Sequence, residues 1–586
     1  IPSRSDYGMN KAEFDEVFPR EFWRDVVDAI ATEAPETLLL AEAFWMMEGY
    51  FVRNLGMHRV YNSAFMHMMM REDNSAFRKT IINTIEFDRR ILKRYVNFMS
   101  NPDEDTAIGQ FGDDDKYFGV CIMMCTLPGL PMFGHGQIEG FKEKYGMEFA
   151  SPRMMEEENN YLIKRHEREI FPLLKKRKLF AEADNFHLFD FINESGNLNE
   201  NVITYYNNYD GMHTLTVFNN SFSTTTGRIQ NGDTDSLSGL LGLDYGPDKY
   251  LICKDIIFKQ EYLRRCDEVI TSGLYIDLNG YEYHVLSDFK IEKDDENNKL
   301  SQIYQMLGKH GTDSIENMKK RIIFRPLHDK LHKLFSYGMI SNQELLISGQ
   351  ISDNEERKFF LKNELFPAII DFHSTFMELE NFIPWSEKKL ENKTLSLFKH
   401  IDTALIKHHP AFSTFPPSCM IAAWTLFHEI SIRAEENGKE LRSLIKKYLL
   451  EEPLQEIFSN RCNQLEPRQC LDVVYACLNY ENIWEDMISD CNNTCYELLS
   501  NQLIKNIIMV HEYNGIQWFK KEAFEGMFFS LEMITRIIRV SKTRKQALAD
   551  LKKISSCFAD LYLMAENSKY NYDILISSLT NKSKGE

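Results

Sequence analysis

The apolar positions of the first 150 residues alternate between two periods. Phe22, Trp23, Val26, Val27 and Ile30 recur at helical spacing, and beyond Pro35 the run Thr37 to Ala41 reads as a buried strand. Val60 to Phe65, Tyr95 to Met99 and Pro131 to Phe133 are three further strand candidates. Between the second and third, residues 75–94 read as an amphipathic helix with Phe77, Ile81, Ile85, Ile91 and Leu92 on its apolar side. Strand–helix alternation with continuously apolar strands predicts α/β structure, a parallel sheet covered on both faces. Four such units are half of an eight-unit (β/α)8 TIM barrel, whose full form needs about 250 residues. The expected first region, 1–155, is such a partial barrel.

Residues 156–180 read as a connecting helix ending in the basic run Lys175 to Lys178, which complements a helix C-terminus. From 181 to 292 the period becomes two, in Leu188/Asp190/Ile192, Thr214 to Phe218, Leu274/Ile276/Leu278 and Tyr281/Tyr283/Val285. Short alternating strands between Asn and Gly turns predict an all-β region, an antiparallel β-sandwich, with Ser221 to Gly246 as a long loop. The polar run 292–298 marks a boundary. Residues 299–580 read as an all-α domain with few glycines, and Asn581 to Glu586 as a polar tail.

Composition narrows the function classes. Of 586 residues, 43% are apolar and 26% charged, which excludes a disordered or rod-like chain. The net charge of −19 argues against a general binder of nucleic acid or anionic membrane. The uncharged run Tyr117 to Ile138 is broken by Pro128, Gly129 and Pro131, so it is no membrane span. Eleven cysteines are scattered, with Cys121/Cys125 and Cys491/Cys495 four apart in helix-like stretches. They read as free, buried thiols of a reducing compartment, and the expected location is cytoplasmic. The opening IPSRSDYGMN has no initiator Met and no signal-peptide pattern, so the expectation is a chain that starts mid-protein. His428-Glu429 begins like a zinc-protease helix, but Ile432 stands where the second His belongs. His408-His409 precedes Pro410 without cysteine partners, and phosphate-loop and dinucleotide fingerprints are absent.

Two carboxylates stand out by position. Glu42 follows the strand 37–41, and Asp103 follows the strand 95–99. In a parallel barrel the C-terminal ends of the strands share one mouth, where two acids have the geometry for acid/base work on a glycosidic bond. A carboxyl beside Phe44 and Trp45 would be partly desolvated, which favours its neutral acid form. The plain alternative is two solvated loop acids. Phe44, Trp45, Tyr50 and Phe51 can stack on sugar rings, or simply pack the loop on the rim. Gly134-His135-Gly136-Gln137 follows the last strand, with His135 and Gln137 as inward hydrogen-bond donors.

The segments LLLAEAFW, NFMSNPDED and LPGLPMFGHGQIEG, in that order, resemble the second half of the catalytic barrel of glycoside hydrolase family 13, the α-amylase superfamily. The resemblance covers about residues 1–150, and the following β-region fits that family's C-terminal domain. It implies that Glu42 is the general acid/base and that Asp103, in a variant of the Asn-His-Asp motif, holds the sugar. Asn101, Trp45, His135 and Gln137 then contact substrate. Pro102 replaces the motif's usual His, as in the maltosyltransferase-like branch. The family's nucleophilic Asp, in a Gly-x-Arg-x-Asp context, has no counterpart here, so the resemblance implies that it lies upstream of Ile1 and that this chain alone is inactive. The implied chemistry is a retaining glycosidase or transglycosylase acting on α-glucan or maltooligosaccharide, without metal or organic cofactor. The alternative is a non-catalytic glucan-binding or scaffold protein. For residues 299–580 the two readings are a protein-interaction module and plain packing.

Overall fold

The computed structural model describes residues 8–42, 48–144, 151–232, 235–336, 339, 354–383, 386–392, 417–460, 466–542 and 547–582. The chain divides into two compact units, Ile1–Lys319 and Lys320–Glu586. The helix Lys299–Leu307 therefore falls within the first unit, beyond the boundary suggested by the polar run.

The first unit opens with four strands, β1 (Leu40–Ala41), β2 (Arg59–Tyr61), β3 (Tyr95–Phe98) and β4 (Leu130–Met132). They form one sheet in the order β1-β2-β3-β4, every neighbouring pair parallel. In β3, Val96, Asn97 and Phe98 are all buried, as an interior parallel strand with both faces covered requires. The flanking strands are more open, with Leu40 in β1 and Leu130 in β4 each 42% exposed.

Seven helices accompany this sheet: α1 (Lys11–Val17), α2 (Phe22–Glu33), α3 (Glu48–Arg53), α4 (Ser63–Arg71), α5 (Asn74–Asp88), α6 (Ala107–Phe111) and α7 (Asp115–Thr126). The strand expected over Val60 to Phe65 stops at Tyr61. Asn62 is the reason: its side chain accepts from the Phe65 N–H at 3.3 Å and starts α4. The helix expected over 75–94 ends at Asp88, whose carboxylate accepts from the Arg90 N–H at 3.1 Å and opens a 3-10 stretch, Arg89–Arg94. In α7, every residue from Tyr117 to Thr126 is buried, so the long uncharged run begins as a core helix. Among the described residues, no helix is long and apolar enough to cross a membrane.

The connecting segment is a helix, Asn160–Arg165, continued through a π turn, His166–Ile170. Arg165 anchors it, donating to Glu169 at 3.0 Å, Asp115 at 2.9 Å and the Tyr283 hydroxyl at 2.6 Å. Burial works against the Glu169 carboxylate, yet hydrogen bonds from Arg165 and Tyr283 hold it below its ordinary range.

Eight strands follow: β5 (Phe186–Asn193), β6 (Val202–Tyr209), β7 (Met212–Asn219), β8 (Thr225–Gly232), β9 (Lys249–Asp255), β10 (Glu261–Arg265), β11 (Leu274–Leu278) and β12 (Tyr283–Lys293). The antiparallel strands expected over 181–292 are present, and hydrogen bonding links all eight in one sheet, ordered β10-β9-β12-β7-β6-β5-β8-β11. Leu251 near one end and Leu274 at the other share a core with Phe189, Tyr206 and Val217, so the sheet curls around one face. Its other face packs on α7 through Tyr205, Phe218 and Val285. The stretch expected as a loop, Ser221 to Gly246, contains β8. Its threonines suit a pleated strand, and Gly227 admits the Phe191 ring, which a Cβ would meet at 2.5 Å.

The second unit is mainly helical, around a core that includes Phe372, Trp424, Phe458, Val474, Phe528 and Phe558. A hairpin, β13 (His511–Tyr513) and β14 (Ile516–Trp518), interrupts the expected all-α pattern. Its Asn514-Gly515 turn has φ of 52° and 74°, the conformation that Asn-Gly favours. The cysteines are not all free thiols as expected: Cys491 and Cys557 form a disulfide, while Cys121, Cys125, Cys253, Cys266, Cys477 and Cys495 are free and buried.

Candidate functional site

Parallel strands share a direction, so the residues that follow β1, β2, β3 and β4 emerge at one edge of the sheet. Glu42 is the first residue beyond β1 and is exposed. By register, Ala41 pairs with Val60, so Glu42 stands level with Tyr61. The Tyr61 hydroxyl is pushed above its ordinary pKa, first by burial and then by the Glu42 charge, which puts that carboxylate within electrostatic reach of the ring. Tyr61 in turn packs on Phe98 at the end of β3, ring centroids 5.3 Å apart.

The β3 exit loop is shaped by Asn101. Its Oδ1 accepts from the backbone N–H of Asp103 at 3.0 Å and of Glu104 at 2.9 Å, an Asx turn that sets the direction of both acids. Asn101 is 7% exposed, and its Nδ2 is buried without a hydrogen-bond partner. Asp103 is exposed, and its backbone carbonyl accepts from Lys144 Nζ at 2.6 Å. Asn62 Nδ2 donates to Asn97 Oδ1 at 2.9 Å and Asn97 Nδ2 to the Pro128 carbonyl at 3.1 Å, tying the exit of β2 through β3 to the segment that enters β4.

The loop after β4 lies against the β3 exit. A Cβ on Gly134 would meet Ser100 Oγ at 2.4 Å, so the close approach depends on glycine there. Gln137 is 3% exposed. Its amide is committed to the loop, with Oε1 accepting from the Gly134 N–H at 3.0 Å and Nε2 placed 3.5 Å from Met99 Sδ. It is therefore a brace between two exit loops, not a donor held ready for a ligand. His135 is exposed, its ring 6.5 Å from that of Phe141. Phe44 and Trp45 lie outside the described residues. Tyr50 and Phe51 meet edge to face in α3, and Phe51 packs on the cluster around Val27, Ala41 and Val60.

Two features escaped the sequence reading. A cavity of about 800 Å³ is lined by Asn62, His67, Arg71, Thr84, Tyr95 and Glu104, with neither Glu42 nor Asp103 in its wall. Within it, His67 Nε2 is 3.5 Å from a Glu104 carboxylate oxygen. The only sequence trace of this pair is the acid doublet beside Asp103. A second cavity, of about 430 Å³, lies on the antiparallel sheet, where Tyr262, Arg264, Glu282 and His284 contribute to its wall. There the buried Asp255 holds His284 Nδ1 at 2.6 Å. Among the described residues of the first unit, no three His, Cys, Asp or Glu side chains converge closely enough to hold a metal ion.

No protein-family model and no curated protein matches the chain. Solved structures do. An α-amylase from Geobacillus thermoleovorans, complexed with acarbose, is 12% identical, covering 47% of this chain and 57% of that one at a TM-score of 0.32. A debranching enzyme from Nostoc punctiforme is 14% identical over 46% and 55%, TM-score 0.33. A cyclomaltodextrin glucanotransferase is 15% identical over 46% and 53%, TM-score 0.33. The chain thus spans little more than half the length of the solved structures it matches.

Proposed function

We propose that residues 1–155 are the acid/base half of an α-glucan-active site of the glycoside hydrolase family 13 type, set at the carboxyl edge of the parallel sheet. The observation that carries this reading is the placement of Glu42 after β1 and of Asn101-Pro102-Asp103 after β3, two strands of one parallel sheet with a common exit edge. Glu42 would protonate the leaving sugar oxygen and then take the proton of the acceptor. Asp103, held by Asn101, would bind ring hydroxyls. Water as acceptor gives hydrolysis and a glucan hydroxyl gives transfer. The attacking carboxylate of a retaining mechanism comes from outside this chain in this reading, and Pro102 supports the maltosyltransferase-like branch.

A second reading, glucan binding without turnover, is favoured by the exposure of Glu42 and by its absence from the wall of the adjacent cavity. A cytoplasmic location rests on the buried thiols among the described residues, such as Cys121, Cys125, Cys253 and Cys477, and the Cys491–Cys557 disulfide speaks against it.

The test is binding and turnover by the chain itself. Calorimetric titration with maltoheptaose is expected to show binding that weakens at least tenfold in Asp103→Ala, with negligible turnover of maltodextrin. Binding untouched by Asp103→Ala would overturn the site. Turnover at rates ordinary for an enzyme, abolished by Glu42→Gln, would instead place the nucleophile within residues 1–586.

A further inference from the structure

The helix Cys491–Ser500 presents two cysteines, one turn apart, to the helix Ala547–Asn567. Cys491 is disulfide-bonded to Cys557. Cys495, a free thiol, has its sulfur 3.9 Å from Cys557 Sγ. All three sulfurs lie within 4.8 Å of one another, the only such group of potential metal ligands among the described residues. Cys557 thus has two sulfur neighbours on one helix face, one bonded and one in van der Waals contact.

We propose that Cys491, Cys495 and Cys557 form a thiol–disulfide exchange site in which Cys557 alternates between its two neighbours. Cys495 loses its proton, its side chain rotates to bring its sulfur in line with the Cys491–Cys557 bond, and that sulfur attacks Cys557 Sγ. The Cys491–Cys557 bond breaks, a Cys495–Cys557 bond forms, and Cys491 leaves as a thiolate that takes up the proton. One disulfide is consumed and one made, so no outside oxidant or reductant is needed. The exchange carries the free thiol from the fully buried Cys495 to the half-buried Cys491, where reagents and partner thiols reach it.

The surroundings give the exchange a direction. Cys491 is the first residue of a ten-residue helix, whose N-terminal N–H groups favour a thiolate, while the Asp490 carboxylate that accepts from the Asn493 N–H at 3.0 Å opposes it. Cys495 is deep in the core, where burial, and then the charge of Asp560, push its thiol up to about 12. The burial that disfavours charge on Cys495 is smaller at the half-buried Cys491. The same burial makes the attacking thiolate scarce, so exchange is slow and the Cys491–Cys557 bond persists as the starting form.

The experiment is peptide mapping of the whole chain under non-reducing conditions. Wild-type protein is held for a day at mildly alkaline pH with excess maleimide, quenched in acid and digested. The expected product carries the label on Cys491 and a Cys495–Cys557 link, and Cys495→Ser loses that label. Labelling of Cys491 at an equal rate in Cys495→Ser, or an unlabelled wild type holding only the Cys491–Cys557 link, overturns the proposal. As a second arm, Cys491→Ser is treated with diamide, a two-electron thiol oxidant, which is expected to join Cys495 to Cys557. Both thiols remaining free in a folded Cys491→Ser protein, judged by circular dichroism, also overturns it. If that variant fails to fold, the wild-type arm decides alone.

Discussion

Asn101 holds the backbone N–H groups of Asp103 and Glu104 on a single carboxamide oxygen, at 3.0 and 2.9 Å. One side chain therefore sets the direction of the proposed ring-binding carboxylate and of the acid that faces His67. Asn101→Ala removes both acceptor contacts and is expected to cost about 1 kcal/mol of stability, the usual scale for such a cap. Maltooligosaccharide affinity should fall more steeply than stability, by about tenfold or more. The check is a melting curve beside a calorimetric titration of the same variant. Equal affinity with lowered stability would make Asn101 a purely structural turn residue.

The contact between α7 and β7 offers a test of the first unit's packing. A Cβ on Gly119 would lie 2.1 Å from a ring carbon of the fully buried Phe218. Alanine is the better helix former by about 1 kcal/mol, which on its own would stabilise α7. Overpacking should outweigh that gain and leave Gly119→Ala destabilised by about 1–2 kcal/mol. Adding Phe218→Leu should recover part of the loss, and denaturant midpoints of the single and double variants decide. Independent, additive losses would show that the two residues do not meet.

The parts of the fold legible in the sequence are those fixed by local chemistry. β3 was visible because an interior parallel strand is apolar on both faces. The positions of Glu42 and Asp103 beyond strand ends were visible because an apolar run precedes each. β8 was hidden because serine, threonine and glycine signal a loop, while its pairing with β5 and β11 is a tertiary matter. The end of β2 was missed because the capping role of Asn62 outweighs the apolar residues after it. The commitment of Gln137 to Gly134 and Met99 depends on two loops meeting. The His67–Glu104 contact and the Cys491–Cys557 bond each join distant segments, and no spacing announces such pairs.

In the second unit, Glu380 gives a pH signature. Burial opposes its charge, but Lys439, Lys447 and the Tyr448 hydroxyl donate to its carboxylate, and its pKa falls to about 2. A pKa lowered in the folded state contributes stability that is present above the ordinary value of 4.5 and fades as pH falls towards 2. Glu380→Gln should therefore destabilise the unit by about 1–3 kcal/mol near pH 7, discounted for the partial exposure of both lysines. The difference from wild type should shrink steadily between pH 4.5 and pH 2. Urea titrations at several pH values read it out, and a difference that does not depend on pH would contradict the ionised cluster.

If Glu42 is the proton donor to a leaving sugar, as proposed, its loss must discriminate between donors. In the protein with its attacking carboxylate supplied, Glu42→Gln keeps size and hydrogen bonding but has no proton to give. Turnover of a maltooligosaccharide, whose leaving oxygen needs that proton, is expected to fall by about 10²–10⁴-fold. Formation of the glycosyl intermediate from a maltosyl fluoride, whose leaving group departs unprotonated, should fall far less. Unequal losses on the two donors are expected of a proton donor; equal losses, or none on either donor, would remove Glu42 from that role.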